Sequence, residues 1–189
     1  LPIVKKELKG DVVSINIHGL RGGHSGQEIH EQRGNAHKMM GRLLDEIAKE
    51  AKINVITSAG GSKDNVISLI NKTEILVETG KSEKVVELVK EMEETWLQEF
   101  MGEEPHLQVD VKVEKEQTVV AFDDKSTRAF IDLLVLIPNG VILYSRKLKG
   151  LVETSLNIGV VETRDNEVFG ASMVRSSVES EKIQLKGVL

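Results

Sequence analysis

The residues best placed to do chemistry lie in one stretch, Gly19 to Ala36, which reads GLRGGHSGQEIHEQRGNA. Gly19, Gly22, Gly23 and Gly26 surround His24 and Ser25. Glycine allows positive φ and close backbone approach, so such a run can turn sharply and present one side chain. Here that side chain is an imidazole. A strand, a glycine-rich loop and a helix in succession also aim backbone amides at an anion. The plain alternative is a tight loop whose histidine sits on the surface.

Two further positions qualify. GGSKDN ends at Asn65, so a second glycine pair at a strand end presents an amide side chain. Glycines and Asp-Asn are also ordinary turn chemistry. Arg175, in VRSS, ends a predicted strand. It is either a solvated edge arginine or a guanidinium fork for a carboxylate. Other chemistries find less support. His18, His24, His30, His37 and His106 contain no pair at the i, i+4 spacing of HExxH, and zinc needs three or four converging ligands. No metal is expected on this chain alone. GGHSG is not the GxSxG nucleophile elbow, because histidine, not serine, occupies its centre.

The elements that must carry these residues follow from periodicity. Val12 to His18 alternates as a half-buried strand. From about Glu31 to Ala51, Met39, Met40, Leu43, Leu44 and Ile47 recur at helical spacing, and Gly41 gives this helix room to approach the sheet. Ile53 to Ala59 and Thr73 to Glu78 read as strands, with Asn65 to Leu69 short and extended between them. Ser82 is placed to cap a helix running to about Met101, and Leu107 to Val113 alternates as another strand. The order β-α-β-β-α-β predicts an α+β fold: an antiparallel sheet with helices on one face, ferredoxin-like. An additional helix follows, capped at Asp123 or Asp124 and stopped by Pro138, and then a β-hairpin of Val152 to Val161 and Val168 to Arg175. The two segments NVITSAGGSKDNVISLINKTEILVE and SLNIGVVETRDNEVFGASMVRSS form a weak repeat, either two hairpins in one lengthened sheet or two lobes, 11–117 and 118–180. The closing EKIQLKGVL reads as a helix cut short.

Composition narrows the classes. The chain has 189 residues and is 40% hydrophobic and 29% charged, which is globular and not disordered. A net charge of −5 argues against a nucleic-acid partner. No apolar run approaches the roughly 20 residues of a membrane helix. The absence of cysteine excludes disulfides and thiolate sites and fits a cytoplasmic protein. The chain starts without methionine and reads as a piece of something larger.

Taken together, GLRGGHSGQEIHEQRGNAHKMMGRLL resembles the opening of the lid domain of the M20 metallopeptidases, in particular the bacterial aminoacyl-histidine (Xaa-His) dipeptidases. GGSKDNVIS resembles the family's GGxxxNVIP loop, with Ser68 where proline is common; IPNGV, GLVETSLNIGVV and MVRSSVES also resemble that subgroup. The resemblance implies a dipeptide hydrolase with zinc in the full-length enzyme, built as a catalytic domain with an inserted lid that also forms a homodimer. It implies that His24 stabilises the oxyanion, that Asn65 assists it, and that Arg175 holds the substrate's C-terminal carboxylate. Nothing here matches the catalytic half: there is no HxD motif and no Glu-Glu pair. Residues 1–189 thus resemble an excised lid and dimerisation domain, expected to be inactive alone. Two other readings stand beside it: a ferredoxin-like module whose only role is dimerisation, and a small-ligand or anion-binding domain built on the glycine loop.

Overall fold

The computed structural model describes residues 1–187. In chain order the elements are β1 (Lys5–His18), β2 (Gly23–His24), a 3₁₀ turn (Ile29–Glu31), α1 (Ala36–Glu50), β3 (Ile53–Gly60), β4 (Val66–Ile67), β5 (Asn71–Val77), α2 (Ser82–Glu99), β6 (Gln108–Phe122), α3 (Asp124–Leu136), β7 (Gly140–Tyr144), β8 (Val152–Thr163), β9 (Val168–Ser176) and α4 (Glu179–Lys186). The last two residues of the predicted C-terminal helix segment lie outside the described residues.

The main sheet has the order β6-β1-β5-β3-β8-β7, with β9 on β8, and its paired strands are antiparallel. Its first four strands give the ferredoxin-like arrangement predicted from the β-α-β-β-α-β order. Alternation explains why: Val13, Ile15 and Ile17 of β1 and Ile75 and Val77 of β5 are fully buried on the helix-covered face. α1 meets that face with Met40, Leu43, Leu44 and Ile47, each fully buried and each contributing roughly 1.5–3 kcal/mol of burial. Trp96 of α2, and Phe122 and Phe130 packed edge-to-face at 6.1 Å, complete an aliphatic core that has few rings.

Several local expectations shift. α1 starts at Ala36, not near Glu31, because Gln32 is left-handed (φ 54°) and Asn35 takes the N-cap, accepting from the His37 amide at 3.0 Å. Ser82 is not a cap. It is the first helical residue, and its hydroxyl donates to buried Asp11 at 2.7 Å. That bond and then the Glu116 amide hold the Asp11 carboxyl below the usual carboxylate range. They also fix a bulge between Gly10 and Val12, where the long β1–β6 ribbon bends past the end of β5. The outer halves of β1 and β6, and all of β7, were not predicted as strands.

Gly41 approaches a helix, not the sheet: a Cβ there would sit 2.6 Å from Leu134 Cβ on α3. Lys38, one turn earlier, donates to the α3 C-terminal carbonyls of Leu134, Val135 and Ile137 at 2.7–2.8 Å. Gly41→Ala is therefore expected to lower stability by about 1–3 kcal/mol through overpacking, despite alanine's better helix propensity. Denaturant titration of the two proteins measures it, and a more stable variant would mean that α1 and α3 part freely.

A second stability feature lies beneath β3 and β5. His37 is fully buried, and its Nδ1 accepts from Asn71 Nδ2 at 2.9 Å. Thr73 Oγ1 donates to Asn71 Oδ1 at 2.7 Å and so fixes the direction of that amide. The neutral ring carries its proton on Nε2, which faces the Gly159 backbone but meets no well-formed hydrogen-bond partner among the described residues. Burial pushes the His37 pKa down to about 4, against a smaller opposite pull from the Gly159 backbone. Unfolded, a histidine titrates near ~6.5, so between these values only the unfolded chain takes up the proton. Stability is expected to be complete above about pH 6.5 and to fall by on the order of 3 kcal/mol as pH drops to about 4. Denaturation at a series of pH values checks this, and His37→Asn should flatten that part of the curve.

Candidate functional site: the glycine loop and the strand ends around it

The glycine loop is closed at its neck by one buried carboxylate. Glu104, from the turn after α2, accepts from the Arg21 amide at 2.7 Å and from the Gly34 amide at 2.8 Å. Inside the neck, Gly22 and Gly23 take positive φ (61° and 133°), the turn that glycine makes possible. The chain then forms β2, pairing with β4 so that His24 lies opposite Val66. Glu28 and Arg33 clamp the turn from within. Glu28 accepts from the His24 amide at 2.5 Å, and Arg33 donates to the Gly22 carbonyl at 2.6 Å. The two side chains pair at 3.3 Å, and Arg33 also pairs with Glu31. The His24 amide, more than the Arg33 charge, holds the Glu28 carboxyl below its ordinary range.

His24, Asn65 and Arg175 come from three separate segments and are brought together here. His24 Nδ1 accepts from the Gly26 amide at 3.2 Å, so the neutral ring carries its proton on Nε2, a free donor. The Ser25 amide donates to the Asn65 carbonyl at 2.9 Å and ties the two loops. Arg175 stands on β9 opposite Ser155. A Cβ at Gly26 would lie 2.9 Å from the His24 ring and 3.0 Å from the Arg175 guanidinium carbon. A side chain at Gly26 would press on both groups and push one of them aside. Arg175 Nε and Ser25 Oγ are buried and have no hydrogen-bond partner among the described residues. Buried polar groups without protein partners are costly unless water or a polar ligand meets them. Donors of this kind, one imidazole N–H and one guanidinium, suit an oxygen that gains charge and a carboxylate.

Ser68, where the resembled motif often has proline, is fully buried and donates to the Ile70 carbonyl at 3.0 Å. The Asn65 loop thus ends in a hydrogen bond that proline could not supply. Glu28, Arg33 and Glu104 escaped sequence reasoning. The available signal was an acid four residues after His24 and an arginine five beyond it, a local carboxylate–guanidinium spacing within a loop. Asn35, Asn139 and Asn157, which join α1, β7 and β8 behind the Asn65 loop, escaped it as well.

The described residues do not fit a metal ion: among them no three His, Asp or Glu side chains converge. His18 instead meets Asp110 at 3.0 Å, and His37 is buried in the amide network above. Among the described residues no helix is long and apolar enough to cross a membrane. A groove between α1, α2 and α3, lined by Met39, Trp96, Phe100 and Val135 together with charged residues such as Arg42 and Glu99, contains none of the three candidate residues.

No protein-family model matches the chain. The cytosol non-specific dipeptidase of Escherichia coli (strain K12) is 37% identical over 174 residues, covering 91% of this chain and 35% of that protein. The crystal structure of aminoacylhistidine dipeptidase from Vibrio alginolyticus superposes with a TM-score of 0.83 at 30% identity, covering 98% of this chain and 41% of the other. The chain therefore spans little more than a third of the proteins it matches. With this homology over nearly its whole length and the motifs around His24 and Asn65, the chain belongs to the M20 peptidase family, as a segment homologous to bacterial dipeptidases.

Proposed function

We propose that this chain is the lid and dimerisation domain of a cytosolic dipeptidase acting on dipeptides such as Xaa-His. In this reading His24 donates from Nε2 to the carbonyl oxygen as charge develops on it during hydrolysis. Asn65 assists that donor, and Arg175 holds the substrate's free C-terminal carboxylate, which restricts the enzyme to the ends of very short peptides. The carrying observation is the meeting of His24 and Arg175 across Gly26, with buried donors left unpartnered around them. Zinc, implied by the family, would be held by residues outside this chain and would supply the activated water. The lid would serve the partner subunit's active site in a homodimer.

Substitutions in the full-length enzyme test the roles separately. His24→Ala removes a donor that acts mainly in the transition state, so kcat is expected to fall by about 10²–10³-fold with a smaller change in KM. Arg175→Ala weakens a contact made in both ground and transition states, so KM should rise, with kcat falling too if alignment is lost. Zinc content should be unchanged in both. Mixing His24→Ala subunits with subunits inactivated at the zinc site should restore part of the activity if the lid acts across a dimer. Near-wild-type kinetics for His24→Ala would reduce the loop to a structural turn and favour a dimerisation-only module. The isolated chain should bind zinc weakly in calorimetry and hydrolyse no dipeptide.

A further inference from the structure

The two loops that carry His24 and Asn65 are not held by the main sheet ladder. Among the described residues their only strand pairing is the two-residue β2–β4 contact. The support behind them is Asn157, on β8. Its side chain is 1% exposed, in a strand run that is otherwise apolar or small. Both of its N–H groups are used: Nδ2 donates at 2.8 Å to the Asp64 carbonyl and at 2.8 Å to the Val66 carbonyl, the two that flank Asn65. The Asn65 carbonyl between them is left to accept from the Ser25 amide. The β8 backbone lies tightly under the same loop: a Cβ at Gly159 would sit 2.3 Å from the Lys63 carbonyl oxygen and 2.5 Å from Asp64 Cα. Asn157 is itself held. Asn35 Nδ2, from the α1 N-cap, reaches Ile158 O at 2.9 Å, Asn139 Oδ1 at 3.2 Å and Asn157 Oδ1 at 3.5 Å, and Asn139 Oδ1 also accepts from the Ile158 amide at 3.0 Å. On its other side Asn157 pairs in register with Met173 of β9, two residues before Arg175.

We infer that Asn157 is a positioning residue that sets the Asn65 loop and, through the Asn65 carbonyl, the His24 loop at a fixed distance from the strand carrying Arg175. The inference rests on the functional reading above for its catalytic consequence, but its geometric content is independent of it. A primary amide suits the task because it offers two N–H donors to two diverging carbonyls and an oxygen to its neighbours. An aspartate of the same shape would turn an oxygen toward those carbonyls. A leucine would leave both carbonyls buried and unpaired.

The test uses the full-length enzyme. Asn157→Asp and Asn157→Leu are made alone and combined with His24→Ala, with Asn157→Ser as the milder variant should either fail to fold. Three quantities are measured: steady-state kinetics, the melting temperature, and amide hydrogen exchange of peptides covering 19–33 and 61–68. The expected result is a fall in kcat of about ten- to a hundredfold with a smaller change in KM, since a small misplacement of an aligned group has that effect. Exchange should quicken in both loop peptides at pH values where the protein stays folded. In the double variant the Asn157 change should add little to the loss already caused by His24→Ala, because it acts through that residue. Unchanged exchange in the two loops, or full additivity with His24→Ala, would overturn the inference. Loosened loops together with a fully active His24→Ala enzyme would uphold the coupling of the loops and overturn the catalytic reading instead.

Discussion

The two loops that carry the candidate site answer to one constraint: a backbone that leaves the sheet but is packed against the protein must still pair its amides and carbonyls. The glycine loop does so with side chains. Glu104 takes the two amides at its neck, Glu28 takes the His24 amide, and Arg33 takes the Gly22 carbonyl. The Asn65 loop does so with Asn157. These bonds convert two glycine-bearing connections, flexible by composition, into fixed platforms. Charge-assisted bonds and doubly used amides are stronger and more directional than bonds to water, so the loops keep their shape without a ladder of their own. The site residues then need little support beyond their own backbone positions.

This arrangement explains which parts could be read from the residues alone. Long alternations and helical stripes impose their own geometry, so the β-α-β-β-α-β order, an α3 cap at Asp123 or Asp124, of which the structure uses Asp123, and the final hairpin were all legible. The loops around His24 and Asn65 could be recognised as special because glycine pairs flank a polar side chain. Their internal bonding could not. It depends on partners as distant in sequence as Glu104 is from Gly34 or Asn157 from Asp64, and no local pattern encodes such pairs. β7 was missed because Pro138, Asn139 and Gly140 read as the end of a helix, whereas β8 supplies the partner that makes the next residues a strand. The outer β1–β6 ribbon was missed because charged and polar residues interrupt any clean alternation there, in KKELKGD and EKEQT, as they do in exposed paired strands. Ser82 looked like a cap until Asp11, 71 positions away, claimed its hydroxyl.

The junction between the ferredoxin-like part and the β8–β9 hairpin carries a consequence for how the molecule opens. Along that seam β3 and β8 share two backbone pairs, Ala59 with Glu162 and Gly60 with Val161, and the residues before β1 add one bridge, Pro2 with Glu167. Side chains add to this, with Thr163 Oγ1 accepting from the Ser58 amide at 2.9 Å and the asparagine cluster bonding farther along β8. Cooperative units in a native protein separate where few ladder bonds cross, and they can do so far below the free energy of global unfolding. His24 and Asn65 lie on one side of this seam and Arg175 on the other. A sub-global opening there would break the site apart while β1, β3, β5 and β6 stayed paired. The grip on a ligand would then be governed by the free energy of opening that seam, and a bound ligand that spans it would act as a staple that raises that free energy.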